Sequence, residues 1–263
     1  MGVASTVPIP RPLRAPVLGA LARGFGCDLD EAERPLSEYP HFQAFFTRGL
    51  RPGARVLHDG PVVSPSDGEV TSRGAVSAGR LMQVKGIEYS VGELLGDGEW
   101  ARAFEGGEQV TIYLHPRNYH RVHSPIDGAV AQSCHVPGSL YPVHAGASHS
   151  RPGLFASNER LVTLVEGSGF RVAVVMVAAM GCGHVRAAYD PQAWGRYGPI
   201  RYAPPIPIRR GDEIGTFAMG STVVLLVSPD GPRLAELPPG TLLRLRAALA
   251  VPGSVKQSEE SVG

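Results

Sequence analysis

One seven-residue phrase occurs twice. Ser64-Pro65-Ser66-Asp67-Gly68-Glu69-Val70 returns at an offset of 60 as Ser124-Pro125-Ile126-Asp127-Gly128-Ala129-Val130, with five of seven positions shared. Pro fixes its own φ, and Asp-Gly is a favoured turn pair, so each copy reads as a turn entering a strand. A chain that repeats such a unit is constrained toward a pseudo-duplicated β architecture of the barrel-sandwich kind. The surrounding text agrees. Strands are predicted at 62–63, 69–76, 81–84, 110–114, 121–123, 129–135, 161–166, 171–178 and 222–228. The 33 Gly and 24 Pro exceed a fifth of the 263 residues, which favours short strands joined by tight turns over a helical bundle. Helical text is peripheral: a lead-in over residues 1–50 with a second piece near 39–47, a short helix at 91–95 and a closing helix at 242–250. Residues 202–207 are Pro-rich and read as a surface loop. The fold class is therefore mainly β with peripheral helices (α+β). A helical segment, 1–50, precedes a barrel-sandwich-like β domain, 51–253, and a polar tail, 254–263, that frays.

Charge excludes one class of partner. Lys plus Arg number 25 and Asp plus Glu 24, so no global basic field for nucleic acid exists. Cys27, Cys134 and Cys182 are odd in number and lack metal-like spacing, arguing against a disulfide framework and for a reducing compartment. The longest strongly apolar run, 172–180, is too short to span a bilayer and fits a buried strand. The N-terminus lacks the layout of a signal peptide. Residues 12–25 are nonetheless apolar and basic, and suit either a membrane interface or a helix packed on the domain's own core.

The chemistry-bearing residues sit in separate turns. Ser221 follows Gly220 ahead of the apolar run 223–227; His120 and His123 lie in Tyr119-His120-Arg121-Val122-His123; Asp67 lies in the first repeat. Together they supply a hydroxyl nucleophile, a base and a carboxylate. Ser221 lies in no G-x-S-x-G elbow, which argues against a hydrolase of that type. His115, His120 and His123 have no Cys or acidic partner at a metal-ligand interval, so no metal is expected. Lys85 and Lys256 are the only lysines, which leaves a pyridoxal-phosphate lysine with little support. Asp67 could equally be a turn cap, as Asp127 is taken to be. His120 and His123, three apart, would face opposite ways in one strand, whereas a turn at 118–120 leading into a strand would let both reach one cavity. Phe45 and Phe46 beside Arg48, Arg51 and Arg55 suit a lipid–water boundary with phosphate contact.

In these blocks the chain resembles the phosphatidylserine decarboxylase family. The likeness runs from about Phe45 to Val227: Phe45-Phe46-Thr47-Arg48, Ser64-Pro65-Ser66-Asp67-Gly68, His115-Pro116-Arg117-Asn118-Tyr119-His120-Arg121-Val122-His123, Asn158-Glu159-Arg160, then Gly211-Asp212-Glu213-Ile214-Gly215 leading to Gly220-Ser221-Thr222. Five blocks in order over one domain are a specific signal. Two positions depart from the family pattern: Met219 stands where Leu is common, and 179–185 is divergent. The resemblance implies a self-cleaving, pyruvoyl-dependent enzyme that converts phosphatidylserine to phosphatidylethanolamine and carbon dioxide. The Ser221 hydroxyl would attack the Gly220 carbonyl, turning the peptide into an ester. β-Elimination would then cut the chain, and hydrolysis would leave ammonia and a pyruvoyl cap on Ser221. The family assigns His123 as base and Asp67 as the acid that orients it, and leaves His120 for substrate or the proton returned to the α-carbon. It further implies α and β fragments that stay together, a phospholipid substrate, a peripheral position on the cytoplasmic side of the cell membrane, and room for a homodimer. Two alternatives stand beside it: the same chemistry on another serine-headed lipid or a free amino acid, and a non-catalytic barrel-sandwich binding module.

Overall fold

The structure is a computed structural model and describes residues 5–84, 86–180, 184–218 and 221–250. Its strands in chain order are β1 (Gly68–Ala75), β2 (Arg80–Val84), β3 (Ile87–Ser90), β4 (Glu108–Leu114), β5 (Arg121–His123), β6 (Gly128–Val136), β7 (Arg160–Glu166), β8 (Arg171–Ala178), β9 (Val185–Ala187), β10 (Gly198–Ile208), β11 (Glu213–Phe217), β12 (Ser221–Val227) and β13 (Leu242–Leu243). Eight of them form one sheet in the order β10-β6-β7-β8-β12-β4-β1-β13; β5-β11-β9 form a second, and β2-β3 a hairpin. Every named pairing is antiparallel.

The two strands at the centre of the large sheet are the two most apolar runs of the chain. Alternation explains why they tolerate no polar face. Val172, Val174 and Met176 of β8 and Val223 and Leu225 of β12 enter one core, while Val175, Val177, Val224 and Leu226 enter a second core on the opposite face. A strand buried on both sides reads as a continuous apolar run. β12 is paired along its whole length, with β8 on one side and β4 on the other.

The repeat has a structural counterpart. β1 and β6, which each begin at the Gly of a Ser-Pro-x-Asp-Gly unit, lie second from opposite edges of the sheet. The two units bond each other reciprocally: Val63 N–H donates to Pro125 O at 3.0 Å and His123 N–H to Pro65 O at 2.8 Å. Within each unit the Ser hydroxyl donates two residues ahead, Ser64 to Ser66 O and Ser124 to Ile126 O. Each Asp then accepts one backbone N–H from a returning segment, Asp67 from Leu245 and Asp127 from Arg210. Both aspartates thus tie their turns to distant segments rather than capping the turns themselves.

Two expectations are corrected. Residues 202–207 lie inside β10 rather than in a loop. Four residues there are opposed by one on β6, because the register jumps between Arg201 and Ile206, and the sheet-edge position spares Pro204 and Pro205 from supplying ladder donors. Residues 242–250 are not a helix. Their backbone donors are spent on distant acceptors: Leu245 N–H on Asp67, Arg246 N–H on Ser64 O and Leu249 N–H on Val62 O. Those bonds preclude the i to i−4 ladder of a helix. The tail at 254–263 lies outside the described residues.

The helical lead-in folds as expected. Helix α1 (Arg11–Phe25) ends at Gly26, whose φ of 74° closes it in the left-handed conformation. Helix α2 (Phe42–Phe46) follows, capped by His41 Nδ1 accepting from Ala44 N–H at 3.1 Å. Leu18, Ala22, Tyr39 and Phe45 make a small separate core between these pieces. The other face of α1 leaves Leu13, Val17, Leu21 and Phe25 exposed at a spacing of four. One face of residues 12–25 therefore packs on the chain's own core, as one of the two readings expected, and one apolar stripe stays exposed. No described helix is long and apolar enough to cross a membrane.

Candidate active site

Ser221 opens β12, opposite Leu114 of β4 and Ala178 of β8. It is fully buried, and its Oγ has no hydrogen-bond partner among the described residues. An orphaned hydroxyl of this kind costs about 1–3 kcal/mol. Ser221 lines a cavity of about 250 Å³ whose other walls include Phe25, Phe42, Phe46, Tyr113, Val143 and Met180. The Asn158-Glu159-Arg160 block does not line this cavity but braces the strand beside Ser221. Asn158 Nδ2 donates to Ala178 O at 2.9 Å, directly across from Ser221, and the Arg160 guanidinium is buried against four backbone carbonyls. Met219 and Gly220, like the divergent 181–183, lie outside the described residues.

The turn falls earlier than expected, at 115–118, where the Asn118 N–H donates to His115 O; His120 lies in the short link between that turn and β5, and His123 at the strand's end. Both rings are buried, and their tautomers follow from their partners. His120 Nδ1 lies 2.8 Å from Asn118 O and must carry the proton, which leaves Nε2 with a lone pair and no partner. Burial pushes this ring down to about 3, the nearby Arg48 charge acting in the same direction. His123 Nδ1 lies 2.8 Å from Gly211 O and is likewise protonated, so Nε2 accepts from the Tyr119 hydroxyl at 3.2 Å. Burial also lowers the His123 ring. At neutral pH both histidines are uncharged and of the form that can accept a proton at Nε2, but only in His120 is that nitrogen unengaged.

Asp67 is engaged elsewhere. Its carboxylate takes a two-pronged bond from Arg55, Nε to Oδ1 at 2.9 Å and Nη2 to Oδ2 at 2.6 Å, besides the Leu245 N–H. Arg55 also pairs with Glu31 at 2.7 Å. Desolvation opposes the Arg55 charge, but its bonds to Asp67 and Glu31 more than compensate, so its pKa is raised. The expected hydrogen bond from Asp67 to His123 is absent among the described residues, because both partners' atoms are already spent; Asp127 does not supply it either.

Phe46 ties part of the constellation together. Its ring stacks on His120 at 3.8 Å between centroids and lines the Ser221 cavity. Phe45 is buried in the lead-in core and Arg48 is 3 % exposed, so neither faces bulk lipid. Arg55, locked to Asp67 and Glu31, does not either. Arg48, Asp67, Asn118 and Tyr119 line a second, charged cavity of about 370 Å³. Sequence reasoning missed Tyr119, Glu31 and the Gly211 carbonyl as partners. Tyr119 and Gly211 lay within blocks already singled out and could have been flagged; Glu31 carried no local signal. No cluster of three metal-binding side chains occurs among the described residues.

Fold and cavity together define a β-sheet enzyme with a buried serine at the head of a central strand, facing an apolar chamber. The phosphatidylserine decarboxylase family model matches residues 42–247. The phosphatidylserine decarboxylase proenzyme of Myxococcus xanthus is 43% identical over 234 residues, 87% of this chain and 84% of that protein. The like-named proenzyme of Anaeromyxobacter sp. is 45% identical over 90% of this chain and 86% of its own length, and that of Azotobacter vinelandii 40% over 89% and 86%. The chain belongs to the phosphatidylserine decarboxylase family.

Proposed function

We infer that this chain is a proenzyme that cleaves itself between Gly220 and Ser221 and then decarboxylates phosphatidylserine to phosphatidylethanolamine. Decarboxylation of phosphatidylserine is the activity of its family, and the family's proenzymes are its relatives over most of the chain. One observation carries the assignment to Ser221: a fully buried hydroxyl without a partner, at the head of a central strand and within an apolar chamber. A structural serine there would be poorly satisfied, whereas a serine that is converted to a carbonyl loses its orphaned donor. A pyruvoyl group formed from Ser221 would supply an electron-poor carbonyl to take up the electron pair left by departing carbon dioxide.

The chain's own residues have the following proposed roles. Ser221 Oγ attacks the Gly220 carbonyl carbon while a histidine accepts the hydroxyl proton. The family pattern names His123, oriented by Asp67; that requires the Tyr119 hydroxyl to release Nε2 and the Nδ1–H to turn from the Gly211 carbonyl to Asp67. A second reading has an observation in its favour: His120 already holds a free Nε2 lone pair and touches Phe46 of the Ser221 chamber. The exposed stripe Leu13, Val17, Leu21 and Phe25 ends at that chamber, since Phe25 lines it. That continuity supports a peripheral membrane contact and a lipid substrate over a free amino acid.

Fragment mass spectrometry with a carbonyl-reactive probe tests this reading. The expected result is a probe-labelled C-terminal fragment beginning at residue 221 and release of carbon dioxide from phosphatidylserine. An active preparation holding only the intact 263-residue chain would sink it.

A further inference from the structure

The charged cavity holds a cation that the fold leaves unsatisfied. Arg48 is 3 % exposed, and its Nε and Nη1 have no hydrogen-bond partner among the described residues. Its remaining nitrogen, Nη2, reaches only the Arg117 carbonyl at a long 3.4 Å. The Phe45 ring, 4.9 Å from the guanidinium carbon, covers one face, and the unpartnered Nε and Nη1 are buried. None of the three acids of the cavity is bonded to it: Asp67 and Glu31 pair with Arg55, and Asp28 accepts from the Asp30 N–H. A buried guanidinium whose fork is empty is a site for an oxyanion, because its planar donors match carboxylate and phosphate oxygens.

We propose that Arg48 binds the phosphodiester of the substrate headgroup, an assignment that rests on the decarboxylase reading above. Position supports it. Arg48 lies two residues beyond Phe46, the wall of the Ser221 chamber, and shares its cavity with Asn118 and Tyr119, next to His120. A headgroup can thus place its reacting carbon toward Ser221 and its phosphate toward Arg48. Chemistry selects phosphodiester over carboxylate. The carboxylate gives up its charge as carbon dioxide leaves, so a cation on it would stabilise the ground state more than the transition state and slow the reaction. The phosphodiester keeps its charge from substrate to product, and binding it carries no such penalty.

Product inhibition separates the two anions, because phosphatidylethanolamine retains the phosphodiester and lacks the carboxylate. In mixed micelles, Arg48→Gln should still split into two fragments. It should raise both the KM for phosphatidylserine and the inhibition constant of phosphatidylethanolamine by about ten- to a hundredfold, the range for a charged hydrogen-bonded contact. Arg48→Lys, which keeps the charge and loses the fork, should fall between. A raised KM with unchanged product inhibition would overturn the assignment in favour of the carboxylate; no change in either would overturn it outright. A second measurement needs no prosthetic group. The uncleavable Ser221→Ala chain should bind glycerophosphoethanolamine by titration calorimetry, and Ser221→Ala/Arg48→Lys should bind it at least about tenfold more weakly. Equal binding by the two chains, or inorganic phosphate binding as tightly as glycerophosphoethanolamine, would refute a headgroup site. If the wild-type chain fails to self-cleave while this calorimetric difference stands, the decarboxylase reading falls and the Arg48 site survives.

Discussion

Replacing Arg55 by Met separates what Asp67 does for the fold from what it does for the chemistry. Arg55 and Asp67 side chains are 7% and 6% exposed, joined by two short bonds, with Glu31 as a third member at 16%. Removing one partner of a buried ion pair leaves an uncompensated charge and costs about 3–5 kcal/mol. Asp67 would retain only the Leu245 N–H, while the more exposed Glu31 keeps Arg244 within 3.6 Å and loses less. The expected cost of Arg55→Met is therefore about 3–5 kcal/mol, nearly all of it through Asp67. Adding Asp67→Asn removes the stranded charge and keeps the acceptor for Leu245, so the double variant should recover half or more of the loss. Urea unfolding is the assay, run on chains carrying Ser221→Ala so that a single unbroken chain unfolds in every sample. A cost below about 1 kcal/mol for Arg55→Met, or a double variant no more stable than the single, would refute the argument. The same pair tests chemistry when Ser221 is restored. If Asp67 orients the base, the double variant regains stability but still fails to self-cleave.

Self-cleavage should divide the chain into fragments of 220 and 43 residues that remain associated after size-exclusion chromatography and part only under denaturant. His123→Ala should abolish cleavage on a denaturing gel, and His120→Ala should permit cleavage while lowering carbon dioxide release. Loss of cleavage in His120→Ala with normal cleavage in His123→Ala would transfer the base role to His120 and its free Nε2. Acid should destabilise the chain through these rings. The unfolded His120 ring takes up a proton near 6.5 and the folded ring only at about 3, so its contribution is complete above 6.5 and falls below it. The slope is about 1.4 kcal/mol per pH unit, or about 2 kcal/mol between pH 6.5 and 5. His120→Gln should flatten that part of the stability–pH profile measured by urea midpoints, and an unchanged slope would show that His120 is not the titrating group.

The β framework was legible because its signals are local. A doubled Ser-Pro-x-Asp-Gly turn and two unbroken apolar runs specify turns and fully buried strands without reference to anything distant. The two misread segments fail for one shared reason. Residues 242–250 are rich in Leu and Ala and suit a helix by composition, yet their backbone donors are claimed by Ser64, Asp67 and Val62, some 180 residues earlier in the chain. Pro204 and Pro205 suit a loop, yet an edge position and a bulge accommodate them in a strand. Tertiary partners decide both cases, and sequence spacing does not carry that information.

For the site, residue types were legible and their engagements were not. Both histidines, Asp67 and Ser221 were singled out by type and by family likeness, but the state of each depends on a partner from elsewhere. Asp67 answers to Arg55, Glu31 and Leu245; His123 to Gly211 and Tyr119; Ser221 and the edge of Arg48 to nothing described. The division has a mechanical sense. Buried polar atoms without a partner also occur away from the site, on Tyr39, Ser66 and Tyr89 among others, but those on Ser221, His120 and Arg48 lie on or beside the short segment of α2 and the loop that faces it. β12 makes this tolerable. With seven residue pairs to β8 and seven to β4, the strand is held by the sheet and not by the peptide bond before it, so that bond can be broken without releasing Ser221 from its chamber.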